Sequence, residues 1–268
     1  MRGGIQLKNK NFWQFKAKDT KSGELLLYGD IADQTWYGDE VTPKQFKADL
    51  DALGDISDLN VYINSGGGDV FAGQAIYSML KRHKAYVTVY VDGLAASIAS
   101  IIAMAGDKLI MPSNSMLMIH NPMSGIWGNA NEMRGMADTL DKIRESMLAV
   151  YEEKTGMKQE EIITLLDAET WLSAQDALEF GFCNEIEEGK QIAASLSGNF
   201  LMLNGVNMDL KKFKNTPKLA FIPKLLSQIG PQEEQDDVIP EDEEETDIGN
   251  EKEHMEILKA KLALKCKL

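Results

Sequence analysis

LNVYINSGGGDVFAGQAIYSMLK, Leu59–Lys81, is the stretch on which the fold turns. Leu59–Asn64 alternates apolar and polar side chains and is rich in β-formers, so it reads as a strand. It runs into Ser65-Gly66-Gly67-Gly68, and a helix comes next over about Val70–Lys81. The same pattern is then repeated: a strand at Ala85–Val91, the punctuation Asp92-Gly93, and a small-residue helix over about Ala95–Ala105. Upstream, Leu25–Gly29 reads as a strand and Thr42–Leu53 as a helix, with Thr42 as N-cap and Pro43 in the first turn. Downstream, Lys108–Met111 and Met116–Ile119 are short strands. Met133, Met136, Leu140, Ile143, Met147 and Val150 give Asn131–Lys154 a helical period, closed at Gly156. Gln159–Leu166 and Ala174–Glu179 fit two shorter helices. Strand–turn–helix units in series imply βαβ crossovers, a largely parallel sheet and an α/β fold. Ligands in such folds sit beyond the carboxyl ends of the strands, so Ser65–Gly68 and Asp92–Gly93 are where chemistry is expected.

The chain has 268 residues and is 44% hydrophobic, enough for one sizeable α/β domain with an appendage. Of its net charge of −14, −11 falls between Glu233 and Glu253, where twelve acidic residues meet one lysine; about −3 is left for the rest. The folded part is nearly neutral, which argues against a nucleic-acid surface. The longest apolar run, near Leu94–Ala105, is interrupted by Ser97 and Ser100 and falls short of the ~20 residues of a membrane span. The N-terminus lacks the apolar core of a signal peptide. Cys183 and Cys266 are far apart and form no metal-type spacing, so a reducing cytoplasm is the expected compartment, with neither metal nor cofactor. After about Glu188 the character changes. Residues 1–190 read as one domain and 191–268 as an extension: mixed over Ile192–Asn207, basic and moderately apolar over Met208–Leu226, then an acidic, disordered linker at about 230–253 and an amphipathic helix over Lys252–Leu268.

Three histidines are available. His254 lies in the charged tail, and His83 lies in the basic run Lys81–Lys84, which reads as a solvated face. His120 closes the apolar strand Met116–Ile119 and precedes Asn121-Pro122. That placement suits a titrating site group and equally suits a hydrogen-bonded structural histidine. Ser97, in Gly93-Leu94-Ala95-Ala96-Ser97-Ile98, comes directly after a strand and opens a helix. It has the strand–turn–Ser–helix logic of a nucleophile elbow without the G-x-S-x-G pattern, and it would serve equally as an N-cap. Gly66-Gly67-Gly68 presents backbone N–H groups with no side chains in the way, as an oxyanion hole requires; a phosphate cradle or a flexible turn is the competing use. Taken together, the three segments supply a nucleophile, a base and oxyanion donors, each at a strand end on the same side of a parallel sheet. A serine hydroxyl needs a base to take its proton, and the base needs a third group to orient it.

In order, these segments resemble the proteolytic subunit of the Clp proteases, over about Leu25–Glu187. Tyr62-Ile63-Asn64-Ser65-Gly66-Gly67-Gly68 is similar to that family's YINSPGG loop, with Gly66 in place of its proline. Gly93–Ser97 is similar to its G-x-A-A-S nucleophile segment, Met118-Ile119-His120-Asn121-Pro122 to its MIHQP segment, Thr155-Gly156 to the end of its long lateral helix, and Trp171-Leu172-Ser173-Ala174 with Gly181 to its closing segment. The resemblance implies an α/β fold of the Clp protease and crotonase type and a serine endopeptidase. Its nucleophile would be Ser97 and its base and acid His120, with the amides of Gly68 and Ile98 holding the oxyanion. The family's third residue is an aspartate just before the closing segment. Here Glu169 stands there, one methylene longer, with Asp167 as the competing acid and a backbone carbonyl as a third candidate.

The family's N-terminal axial segment is not recognisable in Met1–Gly23, and some eighty residues lie beyond the peptidase region. With Tyr28–Ile31 and Trp36–Glu40, this resembles the Clp-related proteases of phage and prophage genomes. That implies maturation of phage heads in the host cytoplasm by cleavage of scaffold or capsid protein, with ring-forming subunits, the long helix stacking two rings, and no nucleic-acid or membrane partner. Three readings compete: a housekeeping peptidase fed by an ATP-driven unfoldase, and, from other classes, a crotonase-like acyl-CoA enzyme and a non-catalytic assembly module.

Overall fold

The computed structural model describes residues 13–17, 21–32, 43–189, 194–197 and 199–216. The elements are β1 (Trp13–Ala17), β2 (Ser22–Ile31), α1 (Pro43–Ala52), β3 (Asp58–Gly68), α2 (Val70–Lys81), β4 (Tyr86–Ala96), α3 (Ile98–Ala103), β5 (Lys108–Pro112), β6 (Met116–Ile119), α4 (Ala130–Thr155), α5 (Gln159–Asp167), β7 (Thr170–Ser173), α6 (Ala174–Glu179), β8 (Glu185–Glu187), β9 (Ala194–Ser197), β10 (Phe200–Leu203) and β11 (Val206–Asp209), with a 3-10 turn at Leu210–Lys212. The main sheet runs β1-β2-β3-β4-β5-β8. Along that path every pairing from β2 onward is parallel and β1 is an antiparallel edge; off it, β6 pairs in parallel with β4 and β7 pairs antiparallel with β6. The fold is α/β with a mainly parallel sheet. The cap expected at Thr42, together with Trp36–Glu40, Cys266, the acidic run at about 230–253 and the terminal helix, lies outside the described residues.

Helix boundaries obey local chemistry. Asp69 caps α2 by accepting the Ala72 amide at 2.7 Å. Asn129 and Glu132 form a capping box on α4, and Gly156 closes it in the left-handed conformation at φ 70°. Strand boundaries obey it less closely. β3 continues through the glycine run to Gly68, where the sequence suggests an end at Asn64, because Gly67 and Gly68 pair with Asp30 and Ile31 of β2. β4 likewise continues through Asp92-Gly93 to Ala96, because Leu94–Ala96 pair in parallel with Met116–Met118 of β6. The next helix starts only at Ile98. The local pattern announces none of β1, β7 and β8.

β4 explains its own sequence. Over Tyr86–Tyr90 it alternates exposed or half-buried with buried residues, because only one face is covered. Leu94, Ala95 and Ala96 are all buried, because there both faces are. Ala95, with Leu117 and Ile119, packs into the main core with α1–α6. Leu94, Ala96 and Met118 face the other way, into a second cluster with Leu201, Leu203, Met208 and Phe213. That cluster is roofed by the three-stranded antiparallel sheet β11-β10-β9. Its hairpin turns at Asn204-Gly205, both with positive φ (49° and 80°), as a type I′ turn requires. Within the segment read only as mixed, the described residues 194–197 and 199–207 thus form a folded layer against the strand ends.

The long helix is divided along its length. Met147, Leu148, Val150 and Tyr151 are buried, whereas Met133 is exposed. The methionines of α4 therefore serve both core and surface. Among the described residues no helix is long and apolar enough to cross a membrane, and no group of three or more His, Cys, Asp or Glu could hold a metal ion.

Candidate active site

The parallel register of β4 and β6 brings the first two side chains together. Ala96 pairs with Met118, and the Ser97 amide donates to the Met118 carbonyl at 2.9 Å. Ser97 is therefore fixed beside the end of β6, where His120 comes after Ile119. The His120 Nε2 lies 2.7 Å from the Ser97 Oγ. Ser97 has φ 55° and ψ −128°, a conformation that costs a non-glycine residue on the order of 1–3 kcal/mol. The first turn of α3 sustains the strain: the Ser100 amide donates to the Ser97 carbonyl at 3.0 Å, and the Ser100 Oγ is bonded to the buried Tyr151 hydroxyl at 2.7 Å. Ser97 thus sits half-buried at a sharp strand-to-helix corner.

The glycine run closes over the same corner. A Cβ on Gly67 (φ +94°) would lie 2.7 Å from the Ser97 Cβ and 3.2 Å from its Oγ. No side chain fits there. Ser65 carries no signal of its own in the sequence, yet it holds this run in shape: its Oγ donates to the Gly29 carbonyl at 2.5 Å and accepts the Gly67 amide at 3.1 Å. The Asp69 amide donates to the Ile31 carbonyl at 2.7 Å, so strand alternation turns the Gly68 N–H away from β2. Gly68 itself (φ +147°) lies against the Ile31 backbone, where any Cβ would collide with the carbonyl oxygen. Ile98 is the first residue of α3, so its amide belongs to the set that has no partner within the helix.

The two candidate acids end in different places. β6 and β7 are antiparallel with Ile119 opposite Thr170, so the next position in register sets His120 against Glu169. The Glu169 Oε2 is 3.9 Å from the His120 Nδ1, and both side chains are buried, at 6% and 7% exposure. Asp167 ends α5 at the surface, where it accepts from the Asn121 Nδ2 at 2.7 Å and lies 3.9 Å from an Arg144 guanidinium nitrogen. Burial pushes the His120 imidazole below its ordinary value; the Glu169 carboxylate pulls it up and the Lys214 ammonium pushes it down. His83 is drawn elsewhere, its Nδ1 accepting the Ala85 amide at 3.1 Å. His254 lies outside the described residues.

Three further residues at this centre carried no sequence signal. The Phe213 ring stands edge-on to His120, with centroids 6.0 Å apart, and to Trp171 at 5.4 Å. The amides of Lys214 and Asn215 donate to the Glu169 carboxylate at 2.9 and 2.7 Å.

A hydroxyl in contact with an imidazole, a buried carboxylate behind it and glycine backbone in front of it is an arrangement for acyl transfer. The sequence is matched over residues 22–190 by the family described as Clp protease. The ATP-dependent Clp protease proteolytic subunit of Deinococcus radiodurans is 32% identical over 140 residues, 51% of this chain and 68% of that protein. The subunit of the same name from Streptococcus pneumoniae is 37% identical over 141 residues, 51% of this chain and 72% of that protein. The matched region takes in Ser97, His120 and Glu169 and more than half of the sequence, and the chain belongs to the Clp protease family of serine-type endopeptidases.

Proposed function

We propose that Ser97 is the nucleophile of this peptidase, His120 its base and acid, and Glu169 the carboxylate that stabilises the imidazolium. The observation that carries the reading is the 2.7 Å contact between the Ser97 Oγ and the His120 Nε2. As Ser97 attacks the scissile carbonyl, its proton passes to Nε2, and the developing oxyanion is received by the amides of Gly68 and Ile98. Imidazolium then gives the proton to the leaving amine. Water, deprotonated by the same ring, releases the acyl group. A fluorophosphonate probe should label Ser97, and His120→Ala should abolish that labelling. Labelling at another serine with Ser97 untouched would overturn the assignment.

At the finer level, we read the chain as a head maturation protease that cleaves scaffold or capsid protein during prohead assembly, with residues 1–190 as its peptidase unit. The support is the resemblance of Tyr28–Ile31 to that subgroup and the folded layer beyond residue 190, outside the match to the Clp protease family. The names of the relatives favour the other reading, a peptidase that works with an ATP-dependent partner. Cleavage of a capsid or scaffold precursor without ATP supports the first; degradation of a folded protein only with an unfoldase and ATP supports the second. Subunits assembling into rings would find contact area in Met123, Ile126, Trp127 and Met133, which are exposed along the segment leading into α4 and its first turn. Light scattering on the purified chain tests this, and a monomer at micromolar concentration would contradict it.

A further inference from the structure

We propose that Phe213–Asn215 is the positioning segment of the catalytic centre, holding Glu169 in place behind His120 through the backbone amides of Lys214 and Asn215. The inference rests on the Ser97–His120 reading above and goes beyond it, because the segment lies outside the region matched by the family, residues 22–190.

Glu169 is 6% exposed, and a carboxylate withdrawn from water needs donors. Its Oε2 takes the Lys214 amide at 2.9 Å and its Oε1 the Asn215 amide at 2.7 Å. Each oxygen is thus tied to the extension, and the carboxylate reaches His120 across 3.9 Å, as a charge and not as a hydrogen-bond partner. The donors are themselves anchored. Phe213 is 8% exposed, in the cluster with Leu94, Ala96 and Met118, and its ring abuts His120. The Asn215 Nδ2 donates to the Ala168 carbonyl at 2.8 Å, next to Glu169 in the chain. Lys212 pairs with Asp30 at 3.2 Å. The extra methylene of a glutamate over an aspartate carries the carboxylate out to these amides. Departure from the family's aspartate and presence of the extension are then two halves of one arrangement.

The test separates the amides from the side chains. In the full-length chain, Asn215→Pro removes one donor to Glu169, and Asn215→Ala keeps it. Asn215→Pro should lower kcat on a fluorogenic peptide about tenfold with KM unchanged, the loss expected for a hydrogen bond to a charged group. Asn215→Ala, which keeps the amide and loses only the side-chain bond to the Ala168 carbonyl, should lower kcat less than Asn215→Pro does, and an equal loss in the two would overturn the role of the amide. Because the segment acts through Glu169, Asn215→Pro should cost nothing further in a Glu169→Gln background. Wild-type kcat in Asn215→Pro or in Glu169→Gln, losses that multiply in the double variant, or a gain of activity (the mark of a restraint) would each overturn the proposal. Should Asn215→Pro fail to fold, amide hydrogen exchange decides. Exchange at Lys214 and Asn215 should speed up in Glu169→Ala while the rest of the chain is unchanged; unaltered exchange overturns the proposal. Fluorophosphonate labelling of Ser97, run in parallel, reports separately on the Ser97–His120 reading.

Discussion

Gly67→Ala tests whether the glycine run and the serine corner form one site. The new Cβ would sit 2.7 Å from the Ser97 Cβ, 2.9 Å from the Ala96 carbonyl oxygen and 3.2 Å from the Ser97 Oγ. Ordinary contact begins at 3.4 Å, so a shift of about 0.7 Å is demanded of atoms that have no freedom to give it. Ala96 is locked in register with Met118, and Ser97 is already in a strained conformation. The backbone adds its own cost, since φ +94° suits glycine and charges an L-residue on the order of 1–3 kcal/mol. Displacing the proposed nucleophile by close to an ångström is expected to reduce catalysis about 10²-fold. Gly66→Ala is the control, because its Cβ would meet nothing nearer than the Met208 Cγ at 3.8 Å. The assay is kcat/KM on a fluorogenic peptide with the rate of fluorophosphonate labelling, and circular dichroism to verify the fold. Gly66→Ala should keep wild-type rates and Gly67→Ala should lose about two orders of magnitude in both. A folded Gly67→Ala chain that is labelled at the wild-type rate would refute the reasoning, for it would mean that the run does not close on Ser97.

Three other outcomes are expected. The proton-accepting imidazole is favoured by burial, so the acid limb of kcat/KM should lie below the ordinary histidine value of about 6.5; Lys214→Glu should move that limb to higher pH, and a downward move would contradict the assignment of causes. Tyr151→Phe removes a buried hydrogen bond to Ser100 and should cost about 1 kcal/mol, lowering Tm by about 2–4 °C in a thermal melt; an unchanged Tm would remove Tyr151 from the support of the serine corner. Leu203→Ala empties a fully buried position in the second cluster and should cost about 2–5 kcal/mol, seen as faster proteolytic nicking within residues 194–216, whereas resistance equal to wild type would show that this sheet does not depend on the cluster.

Sequence and structure agree where a local cause governs. Val70–Lys81 and Met116–Ile119 have the expected bounds, because a cap or a short apolar run bounded by turn residues decides them. Glycine and Asp-Gly announce turns in isolation, so the local pattern ends β3 and β4 too early, at Asn64 and Val91. Pairing to Asp30–Ile31 and to Met116–Met118 overrides that preference, and the two active-site segments are extended strand ends as a result. One signal beyond the peptidase region is local after all: Asn204-Gly205 between two apolar stretches is a hairpin mark, and it announces β10 and β11.

The choice between Glu169 and Asp167 is of a different kind, and it shows where sequence reasoning stops. Both residues carry the same charge, two positions apart, in Asp167-Ala168-Glu169. Motif position favours Glu169, the nearer of the two to the closing segment, without excluding Asp167. The geometry that separates them comes from the antiparallel register of β6 with β7, which sets His120 against Glu169, and from α5, which extends to Asp167 and leaves it at the surface with Asn121 and Arg144. A single-residue slip of that register would turn the strand's side chains to the opposite face. The register is secured by Leu172 and Leu117, both buried in the main core, and by Met118 facing Trp171 in the second cluster. That second cluster needs Phe213 and the sheet that roofs it. The place of the proposed acid behind His120 thus depends on residues well beyond it in the chain, Phe213 and the sheet among them, which is why motif position alone favours Glu169 without excluding Asp167.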